Sequence, residues 1–407
     1  KVGSTRYQNF KDVAYYGFTA SGGEIALPAV YAGQGRKEDF DQVNVDGKAA
    51  LVLVGKDENY RASLDIARQR GAAMVFIFNP DIEMFKEVSG QIEEFLSGGM
   101  LSLKKPDDKS ANTKRAGVFF IAPSVAEKIL NTSMEKIMKA AEEDPAKEVL
   151  KKFKTGSLIY HTANEVKTTG SENVLGYLEG TDKKDELIII TAHYDHIGKQ
   201  SGSAEEDQIN NGADDDGSGT VAVMELAKIF SNAKKDGKGP RRSMLFMTVT
   251  GEEKGLLGSD YYTQHPVFPL ANTVVDLNID MVGRRDGQHK DSAPYVYVIG
   301  SDKLSSELHT LSESTNKTYV KLLFDYTYND QNHPERLYYR SDHWNFAKNN
   351  IPIIFYFDGI HEDYHKPSDE VEKIEFDLLT KRTQCVFYTA WEIANREQRI
   401  MPDKKQN

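Results

Sequence analysis

Short apolar runs broken by polar and glycine-rich segments recur along the whole chain, and their lengths alternate between those of strands and those of helices. In the first half, Ala26 to Ala32 and Ala49 to Val54 are strand-like, and Met74 to Phe78 and Val118 to Ile121 read as further strands. Tyr60 to Arg70 has helical spacing and is closed by Gly71. Ser124-Val125-Ala126-Glu127 has the spacing of a capping box at the start of another helix. Residues 131 to 155, rich in Lys and Glu and containing Pro145, read as solvated helix and linker.

From Glu172 onward the runs strengthen. Leu187-Ile188-Ile189-Ile190-Thr191-Ala192 is continuous and largely β-branched, as expected of a strand covered on both faces. Ser243 to Val249, Thr273 to Ile279, Tyr295 to Ile299 and Ile351 to Phe357 are further strands, with helices over Thr220 to Ala233, Ser305 to Glu313 and Phe376 to Asn395. The alternation predicts an α/β fold with a doubly wound, mostly parallel central sheet flanked by helices, preceded by a smaller α/β domain. The expected division is 1–160 for the smaller domain and its linker, and 161–407 for the larger one.

Acidic residues and histidines gather where the strands of the second half end: His193-Tyr194-Asp195, Gly251-Glu252-Glu253, Asp280 and Tyr364-His365-Lys366-Pro367-Ser368-Asp369. In open α/β sheets ligands bind beyond the carboxyl ends of the strands. A further cluster, Asp214-Asp215-Asp216 between Gly212 and Gly217, precedes the helix that opens at Thr220, with Val221, Met224, Ala227 and Ile229 among Glu225 and Lys228. Adjacent carboxylates repel, so a cation is expected beside them. One candidate is calcium, since Asp214, Asp216, Ser218, Gly219 and Glu225 fit positions one, three, five, six and twelve of an EF-hand loop, with Val221 at position eight. That motif also needs an entering helix, whereas Gln200 to Ala213 reads as loop. Two histidines and three carboxylates at strand exits supply the mixed nitrogen and oxygen donors that zinc prefers.

Composition narrows the partners. A net charge of -11 and the lack of a long basic run argue against a nucleic-acid surface. No apolar stretch approaches the roughly 18 residues of a membrane span. The single cysteine, Cys385, excludes an internal disulfide framework and sits in an apolar helical run as a buried thiol. The chain opens at Lys1-Val2-Gly3 without an initiator Met or a signal peptide, so it is either shortened or has lost a leader, and an extracytoplasmic location is expected.

The motifs together resemble the di-zinc exopeptidases, the group that includes the bacterial leucyl aminopeptidases and the glutamate carboxypeptidase family. The resemblance is carried by His193-x-Asp195, Gly212-Ala213-Asp214-Asp215-Asp216-Gly217-Ser218-Gly219, Gly251-Glu252-Glu253-x-Gly255-Leu256-x-Gly258-Ser259, Asn278-x-Asp280-Met281 and His365-x-Pro367-x-Asp369. It implies two Zn2+ ions per chain bridged by Asp215. His193 and Asp280 would complete one zinc, Glu253 and His365 the other, and Glu252 would be a metal-free general base. It also implies a cis peptide bond between Asp215 and Asp216. In the first half, Asp39-Phe40, Val45-Asp46-Gly47-Lys48-Ala49-Ala50-Leu51-Val52-Leu53-Val54 and Gly71-Ala72-Ala73-Met74-Val75-Phe76-Ile77-Phe78-Asn79 resemble the protease-associated domain, a module that covers a cleft or filters substrates.

Two zinc ions about 3.5–4 Å apart that share a carboxylate and a water lower that water's pKa towards 7. Glu252 would take the water's proton as it attacks the scissile carbonyl and pass it to the leaving amine, while Glu253 holds metal. Asp195 is a candidate acceptor for the second ring nitrogen of His193, and Asp369 for that of His365. His196 reads as a neighbour, and Ser341-Asp342-His343 is assigned no role. Tyr326, Tyr328 and Tyr364 are candidates for steadying the oxyanion.

The expected activity is a zinc aminopeptidase acting on the N-terminal residues of peptide substrates. The alternatives are a glutaminyl cyclase with one zinc, a carboxypeptidase in which Arg284 and Arg285 hold the substrate carboxylate, and a binding protein that kept the scaffold without catalysis, as the transferrin receptor did.

Overall fold

Continuous β-branched runs have no solvated face, so they demand cover on both sides. The computed structural model describes residues 1–16, 23–55, 60–97, 101–103, 117–143, 147–161, 167–199, 207–330 and 332–405. The chain divides into two compact units, one of residues 1–100 and 104–168, the other of 101–103 and 169–407.

The first unit contains strands β1 (Val13–Tyr16), β2 (Ile25–Tyr31), β3 (Ala49–Leu53), β4 (Met74–Phe78), β5 (Gly117–Ile121) and β6 (Ser157–Tyr160), in the order β1-β5-β4-β3-β2-β6. β2, β3, β4 and β5 run parallel, with β1 and β6 antiparallel on the two edges. Helices α1 (Lys37–Gln42), α2 (Tyr60–Gln69), α3 (Ile82–Ser97), α4 (Pro123–Leu130) and α5 (Met134–Glu142) accompany them. The capping box expected at Ser124 does not form. Helix α4 starts two residues earlier, with Pro123 at its first position and Ala122 as N-cap, because the fixed φ of proline suits that position. The Glu127 carboxylate instead accepts from the Met134 amide at 2.7 Å. Pro145 lies outside the described residues.

The second unit is built on a seven-stranded sheet. Its elements are β7 (Val174–Leu178), β8 (Lys183–His193), a ribbon of β9 (Gly198–Lys199) and β10 (Ile209–Asn210), α6 (Gly219–Lys235), β11 (Arg242–Val249), α7 (Leu257–Gln264), β12 (Thr273–Ile279), β13 (Tyr295–Ile299), α8 (Ser306–Tyr319), β14 (Leu323–Asp325), α9 (His343–Ala347), β15 (Ile353–Phe357) and α10 (Phe376–Asn395). The Gln200 to Ala213 stretch expected as loop thus holds a short strand, and its first part lies outside the described residues.

The sheet order is β14-β13-β15-β12-β8-β11-β7. β11, β8, β12 and β15 are mutually parallel, so their carboxyl ends share one edge. After β8 the chain moves to β11 on one side and then to β12 on the other, which places the switch in strand order beside β8. Ile188, Ile190, Leu226, Phe230 and Val386 belong to one apolar layer, and Leu187, Ile189, Tyr297, Phe346 and Phe355 to the other. Burying each such side chain contributes roughly 1.5–3 kcal/mol. Helix α6 forms as expected, but its buried stripe is Ala222, Val223, Leu226 and Phe230, while Val221 and Met224 are 51% and 63% exposed. Apolar residues on both sides of one helix leave its packed face to be chosen by the sheet.

His343, fully buried in α9, stacks on Phe355 at 4.6 Å and lies 2.8 Å from the Tyr338 carbonyl through Nε2, which therefore carries the hydrogen. Burial pushes its pKa down to about 3, with the Tyr338 contact opposing. The folded imidazole stays neutral where an unfolded one, near 6.5, takes a proton. Stability is therefore retained above pH 6.5 and lost as pH falls from there towards 3, by about 1.4 kcal/mol per pH unit. Denaturant unfolding between pH 4 and 6 should show a slope shallower by up to that amount in His343→Phe. Equal slopes would show that His343 does not titrate this way.

Candidate metal centre

Four parallel strands deliver their polar exits to one edge of the sheet. His193 is the last residue of β8, Glu252 and Glu253 follow β11, Asp280 follows β12, and His365 lies in the loop after β15. Asp215 comes from the turn before α6. The His193 Nε2 atom lies 3.1 Å from Asp215 Oδ1 and 3.6 Å from Asp280 Oδ1. On the other side of Asp215, His365 Nε2 lies 3.2 Å from Asp215 Oδ2 and 3.3 Å from Glu253 Oε2. The two nitrogens thus address different oxygens of one carboxylate.

The three consecutive aspartates point three ways. Asp215 faces the histidines. Asp214 turns inward, where its Oδ1 accepts from the Gly283 amide at 2.6 Å and its Oδ2 faces His361 Nε2 at 3.1 Å. Asp216 accepts from three backbone amides, His193 and Met281 at 3.1 Å and Gly219 at 3.0 Å, and so fastens β8, the end of β12 and the start of α6 together. The peptide bond between Asp215 and Asp216 is cis. Gly212 has φ +63°, and a Cβ there would meet the Asp215 carbonyl at 2.3 Å, so only glycine suits that turn. Burial, aided by the Asp369 charge, raises the Asp214 carboxyl to about 7.

This geometry removes the EF-hand reading. The Asp214 and Asp216 oxygens are occupied by backbone amides and His361, and Glu225 sits exposed on α6 beside Lys228 at 3.2 Å. Two supporting roles also change. The His193 ring Nδ1 lies 2.8 Å from the backbone carbonyl of Asp195, while the Asp195 carboxylate accepts from the Glu252 amide at 3.2 Å. The Asp369 carboxylate accepts from the amides of Asp214 at 3.0 Å and Asp215 at 3.1 Å, so it braces the aspartate turn where the sequence suggested His365. A strand exit curls tightly enough for main-chain groups to reach what side chains were expected to reach.

His196, read from sequence as a neighbour, places Nδ1 2.8 Å from Glu253 Oε1 and 3.8 Å from Asp215 Oδ2. Its ring centroid is 5.7 Å from that of His365, so both imidazoles serve the Asp215–Glu253 side. The spacing His193-x-x-His196 was the available signal. Two donor groups able to hold a metal ion follow, His193 with Asp215 and Asp280, and His196 with Asp215 and Glu253.

Donor chemistry fits zinc. His193 Nε2, both ring nitrogens of His196 and Glu253 Oε1 are buried and make no well-directed hydrogen bond, although His193 Nε2 and His196 Nδ1 lie close to carboxylate oxygens; acceptors crowded in this way are costly unless a cation or a proton comes between them. Burial pushes the His193 pKa down, but the Asp280, Glu252 and Asp215 carboxylates outweigh it and raise it well above the usual value. Burial likewise opposes protonation of His365, yet Asp215 and Glu253 raise it to about 9. Glu252 is pushed far above the carboxylate range by burial, with Asp280, Asp342 and Glu253 adding repulsion against the pull of His193. Excess negative charge around imidazole nitrogens is the field in which a divalent cation is stable.

Residues 173–390 match the pattern of Peptidase family M28, more than half of the chain. The chain belongs to peptidase family M28. Membership makes it a hydrolase of the zinc-dependent metallo-exopeptidase class. Among relatives, it is 25% identical over 394 residues to Aminopeptidase YwaD of Bacillus subtilis, covering 94% of this chain and 70% of that protein. It is 27% identical over 218 residues to a probable leucine aminopeptidase of Arthroderma otae, covering 52% of this chain and 55% of that one. The chain thus spans about half the length of that fungal relative. The solved aminopeptidase from Aneurinibacillus sp. strain AM-1 shares its fold at TM-score 0.54 and 20% identity, covering 97% of this chain and 81% of that one.

Within this M28 fold a cleft of about 30 Å3, room for a water molecule, is lined by the polar Asp215, Glu252, Asp280 and His365 and by the apolar Met281, Leu337, Phe355, Phe357 and Ile360. Tyr364 also lines it, stacked on His365 at 3.9 Å. Tyr326 donates instead to Glu313 and Tyr328 packs on Tyr297 at 4.6 Å. His365 is 36% exposed in its side chain, so the centre is open to this cleft. Arg284 pairs with Asp363 at 2.9 Å, and Arg285 with Glu375 at 3.0 Å. Among the described residues no helix is long and apolar enough to cross a membrane.

Asp369→Ala should destabilise the M28 unit by about 3 kcal/mol, because two buried amides lose their charged acceptor, and Asp369→Asn should recover part of that. Denaturant unfolding of both variants measures it, and a loss below about 0.5 kcal/mol would show that the turn stands without this brace.

Proposed function

We propose that the chain is an aminopeptidase holding two zinc ions, with Asp215 between them, and that Glu252 is the general base. His193, Asp215 and Asp280 would hold one ion. Asp215, Glu253 and His365 would hold the other, with His196 beside it. The observation that carries this reading is the sharing of Asp215 by two donor groups, its oxygens facing His193 on one side and His365 and His196 on the other. Bound zinc would acidify a water and polarise the scissile carbonyl.

The remaining chemistry belongs to the side chains. Glu252 lines the cleft half-buried, and its raised proton affinity suits a group that must take a proton from the attacking water. It then gives that proton to the amine as the carbon–nitrogen bond breaks. Tyr364, which lines the cleft, would donate to the oxyanion.

The carboxypeptidase alternative loses its motivating residues, since Arg284 and Arg285 are engaged by Asp363 and Glu375. Donors on both sides of Asp215 favour two ions over the single zinc of a cyclase. We further take the first unit as a protease-associated module, from its parallel β2-β3-β4-β5 core and the apolar and glycine pattern of its sequence, and the location as extracytoplasmic.

Elemental analysis of the purified chain should find about two zinc per chain. A panel of peptides with free and blocked ends should show amino-acid release that requires a free N-terminus, with no ammonia release from glutaminyl peptides. Turnover of N-blocked peptides would reverse the assigned direction. Glu252→Gln should lower kcat by about 10²–10⁴-fold with unchanged zinc content, and retained turnover would remove the base.

A further inference from the structure

Strand β12 is buried along its whole length, yet alternate residues at its end are polar. Asp276 and Asn278 share one face with Asp280, just beyond the strand, and both are fully buried. Across the sheet Thr191 of β8 pairs in register with Asn278. Its hydroxyl oxygen lies 2.9 Å from Asp276 Oδ1 and 2.7 Å from Asn278 Oδ1. Asn278 Nδ2 donates to Ser341 Oγ at 2.9 Å, and Ser341 Oγ donates to Asp280 Oδ2 at 2.6 Å. Ser341, left without a role by the sequence, is itself buried.

Donor and acceptor capacities fix the direction of this chain. The Asp280 carboxylate turns Oδ1 to His193 and accepts from the Ser341 hydroxyl through Oδ2. The Ser341 oxygen then receives the Asn278 amide, which leaves the Asn278 carbonyl facing Thr191. That carbonyl only accepts, so the single Thr191 hydrogen goes to it. The Thr191 oxygen can then only accept from Asp276, which must carry a proton. The reverse order would give the one Ser341 hydrogen two acceptors and leave one of the four contacts without a hydrogen. Burial, with the Asp342 charge nearby, raises the Asp276 carboxyl well above its usual range against the Thr191 contact.

We propose that protonated Asp276 heads a one-way hydrogen-bond relay through Thr191, Asn278 and Ser341 that orients Asp280 and so sets the affinity of the metal it holds. These are positioning residues. The relay rests on the reading of Asp280 as a ligand. It leaves Asp280 Oδ1 as the oxygen free for the ion.

The test uses the full chain loaded with zinc or cobalt. Chelator competition gives affinity and the cobalt absorption bands report ligand geometry, while thermal unfolding checks the fold. Thr191→Val keeps the shape and removes the hydroxyl; it should weaken one metal about 10-fold and shift the cobalt bands. Asp276→Leu should do the same. Asp276→Asn, whose amide can still donate to Thr191, should stay within about threefold of the parent. Parent-like affinity and spectrum in folded Thr191→Val would overturn the relay even if Asp276→Leu fails to fold, and so would equal losses in folded Asp276→Asn and Asp276→Leu. A parent chain that takes up no zinc would overturn the ligand reading, and the relay with it; loading of the parent with an unaffected Thr191→Val would sink the relay alone.

Discussion

One buried carboxylate with imidazole nitrogens on both sides is the constraint that organises the catalytic unit. Asp215 faces His193 through one oxygen and His365 through the other, at 3.1 and 3.2 Å. Burial would raise its pKa, yet the surrounding histidines hold it ionised, below the usual carboxylate range. Negative charge at this depth is stable only beside cations, so everything around it has to supply or admit positive charge. Protonated imidazoles meet the demand in one way and a divalent ion in another.

The sheet makes that arrangement possible. Parallel strands bring all their carboxyl ends to one edge, and the change of strand order beside β8 opens a crevice there. The ligand candidates come from five separate segments, so no local interaction could assemble them. Asp216 joins three of those segments by accepting amides from β8, α6 and the end of β12, and Asp369 ties the loop after β15 to the same turn. Both carboxylates hold main chain in place so that side chains can face the cleft.

Further from the cleft, buried polar groups maintain the same geometry. Arg382 of α10, fully buried, donates to the carbonyls of Val282, Arg284 and Tyr295 and pairs with Asp358 at 3.2 Å. It thereby binds the segment after Asp280 to the strands beside it. Such groups require nearly complete sets of partners, so they permit few alternative packings of the loops that carry Asp280 and His365.

Strand and helix positions in the second unit were largely legible from the amino-acid order, since a run such as Leu187–Ala192 admits no solvated face and the parallel sheet follows from the alternation of runs. Clustering of His193, Asp215, Glu252, Glu253, Asp280 and His365 was legible too, because His193, Glu252, Glu253 and Asp280 lie at or just past the ends of apolar runs, Asp215 sits in a glycine-bounded turn and His365 lies in the polar loop after the last strand-like run. Fine direction was not. Whether Asp195 presents its carboxylate or its carbonyl, which face of α6 packs, whether Asp369 reaches His365 or the aspartate turn, and that His196 joins Glu253 depend on how separate segments meet. The sequence determined which residues collect at one sheet edge, through local periodicity and strand polarity. Only the tertiary structure decided which atom faces which, because a buried donor or acceptor selects its partner from across the fold, among groups that chain neighbours cannot specify.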